Sequence, residues 1–508
     1  MVEAVVGGPE RWCASLGRWQ RLGLAMLAGA VMTAGHPPVG IPWGFFLAMP
    51  VLVWLVMAAP SARAAAWTGW AAGFGYFVTG LHWIGNAFLV EPDKFLLLLP
   101  LGVLGLPAGL AIFWALAAWG AKRLELPGWR GAVALATTLG IVELARGYVL
   151  TGFPWALPAY IWLDTPIMQS AAWIGPFSLT VVTLLLTGIP LVALLRREFA
   201  MAAVAVGAFA ALWIAGGLRH EGPTQYEDDA PVIRLVQPNA PQHLKWLPGY
   251  REDFYERMLN LTAAEAEVPP DLVIWPEISI HFVPSENPTE VARIAEAANG
   301  APVIVGAFYR DGPDFLTNAL QTILPDATLG PVYHKHHLVP FGEYMPLVWI
   351  LGELGLPDFS EGLGFARGEG PKTLHLDGLP SFSPNICYES IFPYEVIGAE
   401  RPGWIAQITN DAWFGSFAGP QQHLAQAQFR AVEQGLPVVR ATNTGISAVI
   451  DSYGLLVART EMHNHRAIDV RLPKALPNTL YSIVGDISCV LICLLLLFAV
   501  VWMRVRLR

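Results

Sequence analysis

Charged residues are scarce in this 508-residue chain. They make up 14% of the sequence, while 54% of the residues are hydrophobic; an ordinary soluble domain is about 25% charged. No run rich in Lys and Arg is present and the net charge is −9, so we expect no nucleic-acid partner. The 20 Trp residues are typical of side chains that line a membrane–water interface. The composition therefore predicts an integral membrane protein with a substantial soluble part.

Cysteine is scarce as well. The four residues are Cys13, Cys387, Cys489 and Cys493. Only Cys387 falls outside the apolar runs and the N-terminal segment, so the soluble part cannot form an internal disulfide. No Cys-x-x-Cys pair or Cys/His cluster with zinc spacing occurs, and the histidines around Lys335 lack an acidic or sulfur partner at a suitable spacing. We therefore expect no metal and no cofactor.

Eight apolar runs are candidate membrane spans. Most reach the roughly 20 apolar residues needed to cross a bilayer. The runs are Leu22–Ala34, Pro42–Ala59, Ala64–Phe88, Phe95–Ala121, Gly131–Leu150, Ile167–Leu195, Phe199–Leu218 and Ile483–Met503. The first is short and also fits a cleaved signal peptide, but we favour an uncleaved helix because more spans follow almost at once. The expected membrane part is an α-helical bundle of eight transmembrane helices.

Lys and Arg indicate the orientation of these spans. If every run crosses, twelve basic residues fall on one side, and apart from the soluble part the other side holds only Lys94 and Arg146. The positive-inside rule then places both termini in the cytoplasm. Seven crossings put residues 219–482 on the far side. The expected domains are 1–218 in the membrane, 219–482 outside the cytoplasm, and 483–508 as the eighth helix with a basic tail.

Residues 219–482 alternate short β-rich runs with helical stretches, which indicates an α/β domain. The predicted strands are Val232–Val236, Leu272–Trp275, Val303–Phe308, Ala319–Ile323, Trp404–Ile408, Val438–Ala441 and Ser447–Ile450. The predicted helices lie near Tyr250–Glu267, Thr289–Ala298, Ile391–Glu400 and Gln421–Gly435.

Cys387 follows an apolar stretch, Leu379–Ile386, and precedes a helix-like segment. This pattern is typical of a nucleophile at a strand-to-turn junction, where backbone N–H groups of the next turn can face an oxyanion. A lone strand cysteine is more often buried packing. However, Glu277 and Lys335 each end a predicted strand or lie in the loop after it. Three chemically matched groups at strand ends favour catalysis.

These three residue types can share one reaction. A thiol needs a base because only a few per cent is thiolate at neutral pH. Glu277 can take the proton if burial makes its carboxylate basic enough. Lys335 can neutralise a tetrahedral oxyanion together with the Tyr388 backbone N–H. The alternative for Glu277 and Lys335 is a structural ion pair.

One apolar stretch, Phe341–Phe365, is interrupted by Pro and Gly and contains Trp349. It is either a surface helix packed on the domain or an arm that dips into the bilayer surface and presents aromatic and aliphatic groups to lipid. The sequence leaves both interpretations open.

Glu, Lys and Cys in this order resemble the nitrilase (carbon–nitrogen hydrolase) superfamily, and with the membrane runs the whole chain resembles the apolipoprotein N-acyltransferases. Pro238 stands where many members are expected to have glycine, a small departure. The matching stretches are Val236-Gln237-Pro238-Asn239, Lys245-Trp246, Trp275-Pro276-Glu277, the run from His334 to Tyr344, Cys387-Tyr388-Glu389, and the run from Thr409 to Gly415.

The resemblance implies a nitrilase-like αββα sandwich on eight membrane helices, in a bacterial inner membrane with the catalytic domain in the periplasm. A phospholipid, typically phosphatidylethanolamine, would donate an acyl chain to Cys387 as a thioester. The chain would then pass to the α-amine of S-diacylglyceryl-cysteine in an apolipoprotein. Glu277 would be the base, Lys335 the oxyanion stabiliser, and Glu343 would orient Lys335 or assist proton transfer. Further supporting or substrate-binding residues would be Tyr388, Glu389, Trp246, Trp349 and Trp413.

Two other functions stay open at this point. One is a membrane-tethered amidase or nitrilase that hydrolyses small soluble amides. The other is a transporter or binding protein whose soluble domain has lost catalysis. The spans lack clustered ionisable residues at mid-membrane depth, which disfavours transport. The presence of Glu277, Lys335 and Cys387 together argues against an inactive domain.

Overall fold

The computed structural model describes residues 8–220, 222–311, 315–346 and 364–507. The helices are α1 Gly8–Ser15, α2 Arg18–Met32, α3 Trp43–Met57, α4 Ala62–Gly80, α5 Gly85–Phe88, α6 Pro92–Phe95, α7 Leu106–Leu124, α8 Gly128–Tyr148, α9 Ala171–Leu195, α10 Phe199–Arg219, α11 Tyr250–Thr262, α12 Pro288–Ala297, α13 Gly419–Gln434, α14 Leu480–Val484 and α15 Ile487–Leu507. The strands are β1 Val232–Gln237, β2 Leu272–Ile274, β3 Val303–Asp311, β4 Phe315–Ile323, β5 Leu329–His334, β6 Gly364–Phe365, β7 Phe382–Ile386, β8 Trp404–Thr409, β9 Val438–Thr442, β10 Ala448–Ile450, β11 Leu456–Arg459 and β12 Arg466–Arg471.

Each of the eight apolar runs contains a helix, namely α2, α3, α4, α7, α8, α9, α10 and α15. Helix α3 is apolar but short. Within the described ranges, four segments are long and apolar enough to cross a membrane by length and composition: Pro92–Leu124, Pro166–Leu195, Phe199–Arg219 and Ile487–Arg506. These four segments support the prediction of a membrane protein.

Small residues let the apolar helices approach one another closely. Where α2 meets α4, a Cβ added to Gly29 would stand 1.9 Å from the carbonyl oxygen of Ala72. Gly75 has the same relation to the carbonyl oxygen of Met26, at 2.1 Å. A side chain at either glycine would clash with backbone, so the two glycines set the distance between these helices.

The two ends of the helical bundle differ in character. At one end Lys122 Nζ donates to the Met57 carbonyl at 2.5 Å, and Arg196 pairs with Glu10 at 2.6 Å. At the other end, backbone carbonyls at helix ends and in a loop of the bundle accept hydrogen bonds from the part of the chain that holds the strands. The strand-containing part therefore sits on the end opposite these basic side chains.

Two sheets form the centre of the strand-containing part. One has the order β12-β1-β2-β3-β4-β5, with β6 paired to β4, and the other has the order β11-β10-β9-β8-β7. Strands β1, β2 and β3 are parallel, and so are β7, β8 and β9. Because parallel neighbours end at the same edge of a sheet, the residues that follow β7 and β8 emerge side by side.

A shared apolar core joins the two sheets face to face, with Leu235 and Ile274 from one sheet and Ile386 and Ala441 from the other. The outer face of the first sheet packs on α11 and α12. The outer face of the second packs on α13. Burial of these apolar side chains is the main term that stabilises the arrangement.

Each predicted strand overlaps an observed strand, but the helix predicted at Ile391–Glu400 is wrong. The chain forms a short 3₁₀-helix over Cys387–Ile391 and then a series of turns. Phe392 is extended, with φ −92° and ψ 101°. The cause is Pro393, because a proline disfavours helical backbone in the residue before it.

The apolar stretch Phe341–Phe365 is described only at its two ends. Residues 347–363, Trp349 among them, lie outside the described ranges. Both interpretations of this stretch therefore stay predictions.

Candidate active site

Cys387 lies at a sharp junction between a strand and a 3₁₀-helix. Strand β7 ends at Ile386, and Cys387 adopts the left-handed conformation with φ 51°. Such a conformation costs a residue with a Cβ about 1–3 kcal/mol, so the surrounding contacts must impose it. The side chain is 7% exposed. The junction predicted from the sequence is therefore present, in a strained form.

The carboxylate of Glu389 stabilises this junction through hydrogen bonds. Its Oε2 accepts from the Ile386 N–H at 2.7 Å, and its Oε1 accepts from the Tyr333 hydroxyl and the His336 N–H, both at 2.7 Å. Burial alone would raise the pKa of Glu389, but hydrogen bonding and charge from His336 outweigh it and lower the pKa. The enclosed carboxylate therefore stays ionised and links the turn at Cys387 to the chain beside Lys335.

Glu277 comes shortly after β2 and is buried. Its two carboxylate oxygens have separate donors. Oε1 accepts from Asn318 Nδ2 at 2.8 Å, and Oε2 accepts from the Asn410 N–H at 2.9 Å. Lys335 Nζ lies 3.4 Å from Oε1. These contacts fix the plane of the carboxylate.

Lys335 follows β5 directly and is buried between two carboxylates. Its Nζ lies 2.8 Å from Glu343 Oε1 and 3.4 Å from Glu277 Oε1. Burial alone would lower the pKa of Lys335, but the charges of Glu343 and Glu277 more than offset it and raise the pKa. Glu343 is fixed in turn because its Oε2 accepts from the Val339 N–H at 2.8 Å. The site therefore holds a permanent ammonium group.

The pKa of the Cys387 thiol depends on both Glu277 and Lys335. Burial first, and then the charge of Glu277, raises the pKa of Cys387, whereas Lys335 and a hydrogen bond with the Thr409 side chain lower it. The net pKa lies above the usual value, so the resting thiol is protonated at neutral pH. A nucleophile in this state needs a base beside it as it attacks.

Tyr388, Trp246 and Trp413 are the remaining predicted residues that the structure describes. Tyr388 is buried, and its ring centroid is 5.6 Å from that of His337. Trp246 is partly exposed, with Lys245 Nζ 5.2 Å from its ring centroid. Trp413 is also partly exposed and lies in a 3₁₀-helix, Asp411–Phe414. The structure thus brings Glu277, Lys335, Glu343, Cys387 and Glu389 together.

Three residues of the site were not assigned a role from the sequence. Asn318 and the backbone of Asn410 bind the two oxygens of Glu277. Lys245 Nζ donates to the Glu277 carbonyl at 3.3 Å, and burial lowers the pKa of this lysine to about 8. Asn318 lies within β4. A polar residue next to apolar ones in a strand was the only feature of the sequence that could have indicated its role. Asn410 and Lys245 fall in matching stretches that signalled the family but not a role.

Two family models match the chain. The apolipoprotein N-acyltransferase N-terminal domain matches residues 28–189, and the carbon–nitrogen hydrolase domain matches residues 233–470. Among solved structures, an amidase from Nesterenkonia sp. is 19% identical, with a TM-score of 0.34, over 50% of this chain and 94% of its own. A likeness at that TM-score supports no inference about the site.

Curated relatives match over almost the whole length. The apolipoprotein N-acyltransferase of Rhodopseudomonas palustris is 38% identical over 96% of this chain and 95% of its own. The enzyme of the same name from Brucella melitensis is 37% identical over 95% of this chain and 96% of its own. Both domains are covered by these matches, and the chain belongs to the apolipoprotein N-acyltransferase family.

Proposed function

We propose that the chain transfers an acyl chain from a membrane phospholipid, through a thioester on Cys387, to the N-terminal amine of S-diacylglyceryl-cysteine in an apolipoprotein. Its catalytic groups are Glu277, Lys335 and Cys387. The observation that carries the proposal is that a strained thiol interacts electrostatically with a fixed carboxylate and a buried ammonium group, which lie 3.4 Å apart. The family supports the acceptor and the acyl-transfer reaction, and the geometry supports the roles that we propose for these residues.

The first half-reaction acylates the enzyme. Cys387 Sγ attacks the ester carbonyl of the phospholipid while its proton passes to Glu277. The carbonyl oxygen becomes an oxyanion, which the Lys335 ammonium and the Tyr388 N–H stabilise. When the C–O bond breaks, the leaving alkoxide takes the proton from Glu277 and departs as lysophospholipid. Glu343 keeps the ammonium in place through the contact at 2.8 Å.

The second half-reaction transfers the chain. The α-amine of the acceptor attacks the thioester carbonyl and gives a proton to Glu277, and Lys335 again stabilises the oxyanion. The C–S bond then breaks, and the Cys387 thiolate recovers the proton. The product is an amide, and the enzyme returns to its starting state. The scheme is ping-pong because the donor product leaves before the acceptor reacts.

The position of the nucleophile favours transfer over hydrolysis. Tyr388, Ile391 and Phe392, which follow Cys387, belong to the same apolar core as the membrane helices. A thioester formed here is therefore surrounded on that side by apolar side chains rather than by water. We propose Trp246 and Trp413 as residues that contact the substrates, because both are partly exposed aromatic side chains. Trp246 follows Lys245, which donates to the Glu277 carbonyl, and Trp413 lies in the 3₁₀-helix that follows Asn410. Trp349 stays a sequence-based proposal for the same role.

The membrane arrangement is part of the proposal. We propose that α2, α3, α4, α7, α8, α9, α10 and α15 all cross the bacterial inner membrane, with both termini in the cytoplasm. The domains would be 1–218, 219–482 and 483–508, with the middle one, an αββα sandwich, in the periplasm. The basic end of the bundle and the placement of the strand-containing part at the opposite end support this orientation.

The donor is best tested with phosphatidylethanolamine alone. We expect purified protein to release about one equivalent of lysophospholipid per active site and then stop, which is the burst expected of covalent catalysis. Intact mass should show one added acyl group on the protein, and a diacylglyceryl lipopeptide should discharge it. Cys387→Ala should show neither the burst nor the adduct.

Two outcomes would contradict the proposal. Substantial transfer activity in purified Cys387→Ala would exclude the thioester. Continuous release of free fatty acid without an acceptor would instead mark a membrane-tethered hydrolase, the alternative left open by the sequence.

A further inference from the structure

A second set of buried charged groups lies behind the nucleophile and has no part in the two half-reactions. His423, near the start of α13, is fully buried, and its Nδ1 lies 2.9 Å from Asp411 Oδ1. Arg440 Nη2 donates to the other oxygen of Asp411 at 2.5 Å. Burying such ions costs several kcal/mol each, and short contacts of this kind are what offset the cost.

The other side of the imidazole faces the nucleophile turn. His423 Nε2 lies 3.0 Å from Ser390 Oγ and 3.2 Å from the carbonyl oxygen of Cys387. Ser390 Oγ is also 3.0 Å from that carbonyl oxygen. Cys387 and Ser390, the first and fourth residues of this turn, therefore both contact the imidazole ring of His423.

Asp411 and Arg440 both face Nδ1 of the ring. Burial would raise the pKa of Asp411, but the charge of Arg440 and the contact with His423 outweigh it and hold the pKa at about 2. The pKa of His423 is lowered, first by burial and then by Arg440, so the ring is neutral. Asp411 Oδ1 lies 2.9 Å and Arg440 Nη2 lies 3.1 Å from Nδ1, and these two contacts hold the ring in place.

A chain of hydrogen bonds joins the ring to the turn. The Ser390 hydroxyl donates to the carbonyl oxygen of Cys387 at 3.0 Å, and its oxygen lies 3.0 Å from His423 Nε2. Ser390 Oγ also accepts from Gln407 Nε2 at 2.6 Å. These contacts join the ring, Ser390 and the first residue of the turn in one buried network.

We propose that His423 is a positioning residue for Cys387. Asp411 orients the ring, and the ring holds, through Ser390, the turn that keeps Cys387 in its left-handed conformation. A strained residue with a Cβ keeps such a conformation only when its surroundings impose it, and the contacts from His423 through Ser390 supply part of that constraint. The inference rests on the proposed role of Cys387 as nucleophile.

The residue before His423 connects the same helix to the membrane bundle. Gln422 Oε1 accepts from the indole N–H groups of Trp83 and Trp155, at 3.2 and 2.8 Å. Its Nε2 donates to the backbone carbonyls of Pro37, in the loop after α2, and Gly80, the last residue of α4, at 3.3 and 3.2 Å. All four hydrogen bonds open to the amide are made. Contacts with the membrane helices therefore fix the position of the start of α13. Because His423 lies there and contacts the turn at Cys387, the same contacts also help to fix the position of the thiol.

Two variants at position 423 separate positioning from packing. His423→Gln places an amide near the site of Nε2 and can still reach Ser390. His423→Asn places its amide near the site of Nδ1 and reaches only Asp411. The measurement is the lysophospholipid burst of the full-length protein in detergent micelles at varied phosphatidylethanolamine.

We expect His423→Asn to lower the maximal burst rate about 100-fold, the loss typical of an attacking group misplaced by about 1 Å. The donor concentration at half-maximal rate should not change, because no contact with the donor is lost. His423→Gln should keep roughly a tenth of the wild-type rate or more, because one neutral hydrogen bond is worth about 1 kcal/mol.

Ser390→Ala tests the link itself and leaves the ring and Asp411 in place. It should also lower the maximal burst rate at an unchanged half-saturating donor concentration. Gln426→Met is the matched control: Gln426 is one turn further along α13, buried, and without a hydrogen-bond partner among the described residues. It should keep the wild-type rate.

Equal losses in His423→Asn and His423→Gln would show that the ring only fills space, and a normal rate in Ser390→Ala would show that the ring does not act through the turn. Either result overturns the positioning role. A wild-type protein that forms no acyl adduct on Cys387 would refute the proposed function itself, which is a separate outcome.

Discussion

Asn318→Leu removes a donor from the carboxylate that we propose as the base. Asn318 Nδ2 lies 2.8 Å from Glu277 Oε1 and 3.4 Å from Glu343 Oε1, and only the shorter contact has normal hydrogen-bond length. A hydrogen bond to a charged group is worth about 1.5–3 kcal/mol, and each ~1.36 kcal/mol of barrier is about tenfold in rate. If this bond holds the carboxylate toward the thiol, its loss slows acylation of Cys387 by about 10- to 150-fold.

The assay follows the acyl adduct by intact mass after mixing with saturating phospholipid. Thr317→Val is the matched control, because Thr317 is the preceding residue of β4 and points to the opposite face. Its hydroxyl lies 2.9 Å from His334 Nδ1, away from Glu277. The control should acylate at the wild-type rate. A normal rate in Asn318→Leu, or an equal loss in both variants, would refute the role of the Asn318 hydrogen bond.

Two further predictions concern topology and pH. In a cysteine-free background, single cysteines at Arg197 and Glu265 should react with an impermeant maleimide from opposite sides of the membrane; labelling of both in intact spheroplasts would contradict seven crossings before the soluble domain. Burial would lower the pKa of His336, but the hydrogen bonds that its ring donates to Glu389 and Glu395 outweigh it and raise the pKa from 6.5 to about 9. This stabilisation is fully present below pH 6.5 and is lost as the pH rises through about 9. Thermal stability should fall over that window, and His336→Asn should flatten the fall; an unchanged slope in the variant would exclude His336 as its source.

The family and the broad architecture could be predicted from the sequence because their signals are local. A long apolar run is visible without knowledge of its neighbours, and each of the eight apolar runs overlaps a helix. The stretches around Glu277, Lys335 and Cys387 likewise indicated the family that the full-length relatives show. The helix predicted at Ile391–Glu400 is wrong because Pro393 disfavours helical backbone in the residue before it, and the apolar pattern around it does not offset this effect.

The contacts that arrange the site were decided only by the tertiary structure. Asn318 and Glu277 are 41 residues apart in the chain, and nothing in either local pattern indicates that they meet. His423 looks like one polar residue in an amphipathic helix until that helix packs behind the nucleophile turn and Asp411 orients its ring. Local sequence sets which element forms and which residues end it. Which side chains then share a hydrogen bond depends on strand order and on how sheets and helices stack, and these are set by burial summed over the whole chain.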